Sequence, residues 1–451
     1  MLFRSDPAPG ATGDLVLELA IGGDLGARAV LDGPRTLAIP GTSLTWDGLA
    51  AWDGSGRSLP ARLAIDGDRL RIVVDDHAAV YPLTIDPLWS QQAYLKASNT
   101  EASDYFGHWV AIAGDTVVVS ATSEDSCSTG VGGDASDNAC TGAGAVYVFR
   151  RTGSLWAQEA YLKAGNTDPG DAFGATVSIS GDTIVVGGPG EDSCATGVNG
   201  NASNNGCSNA GAAYVFTRSG STWSQQAYLK AGNTDAGDFF TFVAISGDSI
   251  VVGATDEDSC STGVNGDATD DGCSAAGAAY VFTRSGSTWS QQAYLKAGNT
   301  GAEDFFGLVA IDGDAVVVGG YQEDSCASGV NGNASNNGCS NAGAAYVFTR
   351  SGTAWSQQAY LKAGNTDAGD YFGISVSIDG DSLVVGAYGE ASCATGVDGD
   401  GSNNGCTQAG AAYVFTRSAA TWSQQAYLKA GNAGLGDQFG SRTAKIGRAH
   451  V

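Results

Sequence analysis

One nine-residue segment, Trp-Ser-Gln-Gln-Ala-Tyr-Leu-Lys-Ala or a close variant, begins at Trp89, Trp156, Trp223, Trp289, Trp355 and Trp422, at spacings of 67, 67, 66, 66 and 67 residues. A period this strict across most of a chain means that each period is one supersecondary unit packed against copies of itself.

The second complete period shows what the unit is. Thr176 to Ser180 and Thr183 to Gly187 flank Gly181-Asp182, a two-residue connection of hairpin type. Ala212 to Arg218 alternates small residues with Tyr214 and Phe216, and Ser219-Gly220 turns it into Trp223 to Ala231. Four antiparallel strands result. Such a sheet is apolar on both faces and cannot cover itself, so neighbouring units must stack face to face, as radial packing allows. A linear β-solenoid is the alternative, but solenoids use much shorter repeats. The expected fold is therefore all-β: a β-propeller of four-stranded antiparallel blades.

Five complete periods end near Ala430, and a sixth begins at Gly431 and stops just after Phe439-Gly440. Trp89 to Ala97 precedes the first complete unit and is placed to act as the outer strand of the last blade, latching the ring. Ile446 to Val451 is what a short-read sequencing adaptor encodes, and the same frame accounts for Lys445. The natural sequence is expected to diverge at 445–451, so the repeat region is 89–444. Residues 1–88 lie outside the repeat but also read as β, with apolar alternation in Leu15 to Ile21, Ala61 to Ile65, Leu70 to Val74 and Ala79 to Ile85.

The formal charge is −26, from 22 Lys plus Arg against 48 Asp plus Glu. A field of that sign repels phosphate backbones, which argues against nucleic acid and anionic membranes as partners. No apolar run approaches the roughly 20 residues that cross a bilayer. The start, Met1 to Gly10, has neither a basic segment nor an apolar core, so an export signal is expected upstream of Met1.

All ten cysteines fall in the long connection between the second and third strands: Cys127 with Cys140, Cys194 with Cys207, Cys260 with Cys273, Cys326 with Cys339, and Cys393 with Cys406. One pair recurring at the same place in every unit makes the local bridge the simplest assignment. Zinc is the competing reading. It is disfavoured because no Cys-x-x-Cys is present and the only histidines before the tail are His77 and His108. Disulfides persist outside the reducing cytosol, so an extracellular or cell-surface location is expected.

Units open with an aromatic-Gly pair at Phe106-Gly107, Phe173-Gly174, Phe306-Gly307, Phe372-Gly373 and Phe439-Gly440, with Phe240-Thr241 as the exception. Val185-Val186-Gly187-Gly188-Pro189 and its counterparts follow, then a Gly-Ala-Ala-Tyr-Val-Phe strand such as Gly211 to Phe216. These three motifs in order resemble FG-GAP repeats, the units of integrin α-subunit propellers and of many bacterial surface proteins. The resemblance implies a propeller, commonly of seven blades, that acts in adhesion or ligand binding. It implies further blades in the natural protein and a ligand face at the strand-two to strand-three connections.

Many members of that family carry an Asp-rich calcium loop between the first two strands of a blade. Here that connection has shrunk to Gly114-Asp115, Gly181-Asp182, Gly247-Asp248, Gly313-Asp314 and Gly380-Asp381. Two residues supply too few oxygens for a cation that takes six to eight, so the family's calcium sites are not carried over and no cofactor is expected. Asn265, Asp267, Asp270 and Asp271 form the densest oxygen cluster in the cysteine loops and are the residual calcium candidates, although turn formation explains them first.

No catalytic pattern is present, and repetition makes nearly every polar residue one of five equivalents. Glu124-Asp125, Glu191-Asp192, Glu257-Asp258, Glu323-Asp324 and Glu390-Ala391 read as turn and capping residues. Lys96, Lys163, Lys230, Lys296, Lys362 and Lys429 read as solubilising charges on an edge strand. The expected function is non-catalytic recognition of an extracellular protein or glycan. The alternatives are an accessory targeting domain of a larger extracellular enzyme and a calcium-dependent module.

Overall fold

The computed structural model describes residues 92–444 continuously, 49–66, 69–81 and 83–87 before them, and the short strands Phe3–Ser5, Leu15–Ala20, Val30–Leu31, Leu37–Ala38 and Thr45–Trp46. Trp89 to Gln91 and the 445–451 tail lie outside the described residues. The chain divides into two compact units after Tyr94.

In the first unit, Leu15–Ala20, Arg69–Val74 and Ala61–Asp66 form one antiparallel sheet. Leu83–Pro87 pairs with Phe3–Ser5 on one side and Leu49–Trp52 on the other. Leu49, Ala51, Leu63, Ile72, Val74 and Leu83 make its core. The run expected over Ala79 to Ile85 becomes a strand only from Leu83. The reason lies at Val80, whose N–H donates to the Asp53 carboxylate at 3.3 Å instead of to a neighbouring strand.

The second unit holds five sheets of four strands, each a simple antiparallel meander. In blade two the strands are Thr176–Ser180, Thr183–Gly188, Ala212–Ser219 and Thr222–Leu229, within two residues of the sequence expectation. The Gly-Asp connection is a two-residue hairpin loop whose glycine has φ near +56° in every blade, the backbone state such a loop needs. Gln92–Ala97 is in no strand, so the expected latch is not formed by these residues. Blade five is complete with its own four strands, and Gly410 of that blade bridges Phe439 of the sixth repeat in parallel.

The core lies between blades. Val185, Val215, Ala227 and Leu229 on one face of blade two join Phe240, Ile250, Val252, Tyr280, Phe282 and Trp289 on the facing side of blade three in one buried cluster. This is the mutual covering that a sheet apolar on both faces requires.

The sequence motifs are the contacts of that stacking. A Cβ on Gly253, from the Val-Val-Gly segment of blade three, would fall 1.7 Å from the carbonyl oxygen of Gly307, from the aromatic-Gly pair of blade four. Gly187, Gly319 and Gly386 meet Thr241, Gly373 and Gly440 in the same way, at 2.0, 2.0 and 1.9 Å. Only a residue without a side chain lets the two backbones approach this closely. At Thr241 both the carbonyl oxygen and the side-chain hydroxyl face Gly187, so the glycine on the Val-Val-Gly side is the one the contact requires.

A second repeated contact ties the outer strands together. The Trp289 indole N–H donates to Gln226 of the preceding blade at 2.8 Å, and Trp355 and Trp422 do the same to Gln292 and Gln358. The guanidinium of Arg284 lies 5.0 Å from the Trp289 ring centroid and pairs with Asp248 of the hairpin loop at 2.6 Å. The most regular segment of the sequence is thus an inter-blade hydrogen bond repeated around the ring. First-strand residues of successive blades, among them Trp109, Thr176, Phe242, Leu308 and Ser375, line one axial cavity together with Arg442.

Gly253→Ala is expected to destabilise the second unit by about 3 kcal/mol, the upper range for overpacking. Urea unfolding followed by tryptophan fluorescence measures it, and a loss under 0.5 kcal/mol would contradict the contact.

Candidate binding face

In a four-stranded meander, the connection between strands two and three and the linker from strand four to the next blade emerge at the same end of the sheet. The Gly-Asp and Ser-Gly turns emerge at the other. The long cysteine-bearing connections of all five blades and the linkers between blades therefore share one face.

Each cysteine connection is fixed at three points. The bridges Cys127–Cys140, Cys194–Cys207, Cys260–Cys273, Cys326–Cys339 and Cys393–Cys406 are formed, with Cα separations of 4.9–5.0 Å. The loop then pairs with the outer strand of its own blade through Val131 with Leu162, Val198 with Leu229, Val264 with Leu295, Val330 with Leu361 and Val397 with Leu428. The third point is the glutamate at the start of the loop.

That glutamate and the repeated lysine are not surface charges. Lys163, Lys230, Lys296 and Lys362 are fully buried and Lys429 nearly so, while Lys96 alone is exposed. Their ammonium groups lie 2.6–2.9 Å from Glu124, Glu191, Glu257, Glu323 and Glu390, which are equally buried. The edge-strand reading of the lysines and the turn reading of the glutamates are thereby corrected. The lysine lies just past the last strand residue and turns under the loop. The aspartates of the acidic pairs do cap turns: Asp192 Oδ1 accepts the Asn209 N–H and Asp258 Oδ1 the Ala275 N–H, both at 2.8 Å.

Each glutamate collects further donors. Glu257 accepts the Tyr294 hydroxyl at 2.8 Å and the Asn233 amide at 3.0 Å on Oε1, and Lys296 at 2.8 Å on Oε2. Asn233 belongs to the linker entering the blade, and its side-chain oxygen accepts the buried Tyr280 hydroxyl at 2.7 Å. Loop, outer strand and incoming linker thus meet at one carboxylate. Burial pushes the pKa of Lys163, Lys230, Lys296 and Lys362 down, against the opposing pull of the paired glutamate.

Three of the four calcium candidates already accept hydrogen bonds from the protein. Asn265 Oδ1 accepts the Tyr294 N–H at 2.9 Å, Asp267 Oδ1 accepts both the N–H and the hydroxyl of Thr269, and Asp270 Oδ1 accepts the Gly272 N–H. Among the described residues no group of three or more His, Cys, Asp or Glu side chains is placed to hold a metal ion. No described helix is long and apolar enough to cross a membrane.

The sequence reading missed an aromatic strip. Phe305 and Tyr321 have ring centroids 5.4 Å apart, Tyr321 and Tyr371 are 6.4 Å apart, and Tyr371 stacks nearly parallel on Tyr388 at 4.9 Å. All four are half-buried. They occupy two repeat positions, the residue before the aromatic-Gly pair and the residue after Val-Val-Gly-Ala. The corresponding residues are Tyr105 and Thr122 in blade one, Ala172 and Pro189 in blade two, and Phe239 and Thr255 in blade three. The signal was available: these positions vary while their neighbours repeat, so the fold does not dictate them.

Four linker aspartates complete the face. Asp171, Asp238, Asp304 and Asp370 are buried, and burial chiefly raises each to about 7 against one stabilising backbone N–H bond.

The sequence model of a family described as FG-GAP repeat matches residues 89–149, 156–216, 223–282, 289–348 and 355–415. No curated protein sequence matches the chain. Among solved structures, a hypothetical selenium-binding protein from Sulfolobus tokodaii aligns with 8% identity and a TM-score of 0.29. The alignment covers 54% of this chain and 51% of that one, so it spans about half the length of each.

Two outcomes follow. The linker aspartates have folded pKa values above the unfolded 3.8, so their favourable contribution is complete below pH 3.8 and is lost as pH rises through about 7. Tm is expected to be higher at pH 5 than at pH 8, and the fourfold Asp→Asn variant to flatten that slope in scanning calorimetry. Replacing Cys260 and Cys273 by Ser is expected to lower the unfolding free energy by about 3 kcal/mol. Thiol titration of the unreduced, unfolded wild type should find no free thiol.

Proposed function

This chain belongs to the FG-GAP repeat family, and from that premise we propose that it is a non-catalytic extracellular binding module that takes a protein or glycan ligand on the face of the disulfide-pinned loops. The observation that carries the reading is the aromatic strip Phe305, Tyr321, Tyr371 and Tyr388, at repeat positions the fold leaves free. Five loops, each fixed by a disulfide and a strand bridge, hold the surrounding surface rigid, which lowers the ordering cost of binding.

Stacked aromatic rings present flat apolar faces bordered by hydroxyl groups, which suits the C–H face of a sugar ring. Burial chiefly raises the Tyr321 pKa and the negative charge of nearby Asp256 adds to it, and that carboxylate offers an acceptor for sugar hydroxyls. A net charge of −26 disfavours acidic polysaccharides, which leaves neutral glycans. Ten cysteines in five bridges fit an oxidising, extracellular setting. A catalytic role is disfavoured because polar groups recur in near-equivalent copies, whereas a general acid or nucleophile is a singular group in a special setting.

Affinity electrophoresis against neutral glucan, mannan and xylan tests the reading. Retardation by at least one is expected, and Tyr371→Ala with Tyr388→Ala should weaken it at least tenfold with Tm unchanged. Retardation that survives the double substitution would move the site away from the strip. Absence of retardation by all three would remove the glycan reading and leave a protein ligand.

A further inference from the structure

The buried clusters hold the parts of a covalent reaction. In blade one the Glu124 carboxylate receives Lys163 Nζ at 2.9 Å on one oxygen and Asn99 Nδ2 at 3.0 Å on the other. The Tyr147 hydroxyl donates to Asn99 Oδ1 at 2.6 Å. A primary amine, a carboxylate touching both nitrogens and a hydroxyl on the amide oxygen are thus buried, with the carboxamide half-buried at the edge of the cluster. The same four parts recur as Lys296, Asn233, Glu257 and Tyr280 in blade three. Blade four repeats them with Lys362, Asn299, Glu323 and Tyr346, and blade five with Lys429, Asn365, Glu390 and Tyr413. Blade two has Lys230, Asn166 and Glu191, but the Tyr214 hydroxyl makes no hydrogen bond of normal geometry.

We propose that these clusters are sites of intramolecular isopeptide formation, joining the lysine at the end of each outer strand to the asparagine of the linker that enters the same blade. Each step balances. The glutamate takes a proton from the lysine ammonium, and the neutral amine attacks Cγ of the asparagine. The tyrosine hydroxyl stabilises the charge that develops on Oδ1, as oxyanion donors do. The glutamate returns its proton to Nδ2 and takes one from Nζ, the Cγ–Nδ2 bond breaks, and ammonia departs. It leaves as ammonium with the proton held by the glutamate. The net change is one ammonium lost and one Nζ–Cγ bond gained, with no oxidant or cofactor.

The surroundings favour this chemistry over a passive ion pair. A lysine is a nucleophile only when neutral, and an apolar site disfavours its charged form. The lysines of blades one to four feel that pressure. Water is kept from the amine and from the carboxylate that moves its protons: the five lysines and five glutamates are at most 5% exposed, while the asparagines are half-buried. The bond would join Lys163 to Asn99, two residues far apart in sequence, and so close each blade with a second covalent tie besides its disulfide.

Intact-mass spectrometry of the full chain after reduction and denaturation tests the proposal. Each bond lowers the mass by one ammonia, about 17 Da, since an amine displaces the amide nitrogen. A deficit of four such units is expected, with blade two the exception for want of its tyrosine contact. Tryptic digestion should release branched peptides joining Lys163 to Asn99, or the equivalent pair in another blade, with no cleavage after the joined lysine. The Lys163→Arg variant keeps the charge and is expected to regain one ammonia unit while retaining the other three. A mass equal to the sequence value would overturn the proposal, and so would ammonia loss without any branched peptide, as from cyclised asparagine.

Discussion

The second unit depends on a carboxylate that no water reaches. Glu191 and its four counterparts each stand where the cysteine loop leaves the second strand, and each draws in a lysine and a tyrosine from the outer strand and an asparagine from the incoming linker. Taking a charge out of water costs several kcal/mol unless it is paired and its remaining lone pairs are filled, and here all three donors are present. Losing one partner would leave the other charge stranded, a penalty of about 3–5 kcal/mol. Loop, strand and linker therefore have one mutual arrangement that satisfies the glutamate, and that arrangement fixes the face above it.

Around this polar centre the blades are held by close backbone approach. Gly253 against Gly307 and its equivalents leave no room for a side chain, so adjacent sheets pack at a separation that buries both faces. The same stacking forces the residue before each aromatic-Gly pair into positive φ: Phe239, Phe305 and Tyr371 lie at 53°, 51° and 55°. Their N–H groups donate to carbonyls of the preceding blade, at Asn209, Ala275 and Asn341, which is what holds them there. Backbone set by the fold thus presents side chains that the fold does not choose, and in blades four and five those side chains make the aromatic strip.

The repeat, the four strands and the pairing of the cysteines were legible because each rests on local pattern: a period, a hairpin loop, two thiols in every unit. The lysines were misread for a physical reason. Tyr-Leu-Lys-Ala at the end of an outer strand looks like a charged edge, and nothing nearby in sequence reveals that a glutamate 39 residues earlier folds over it. The aspartates of the same acidic pairs were read correctly because their acceptor role is a turn role, with partners inside the same loop. Of the segment Trp89 to Ala97, expected to latch the ring, the described part from Gln92 onward is in no strand.

By itself the sequence determined that this is a repeated all-β chain with one bridged loop per unit, because strand alternation, hairpin glycines and cysteine spacing are short-range facts. Tertiary structure alone decided which charges lie inside, which glycines touch across blades and which aromatics meet. Tyr321 and Tyr371 are 50 residues apart, as are many such partners, and only the stacking of one blade on the next brings them to 6.4 Å. Burial and contact between distant residues are properties of that stacking, not of any segment.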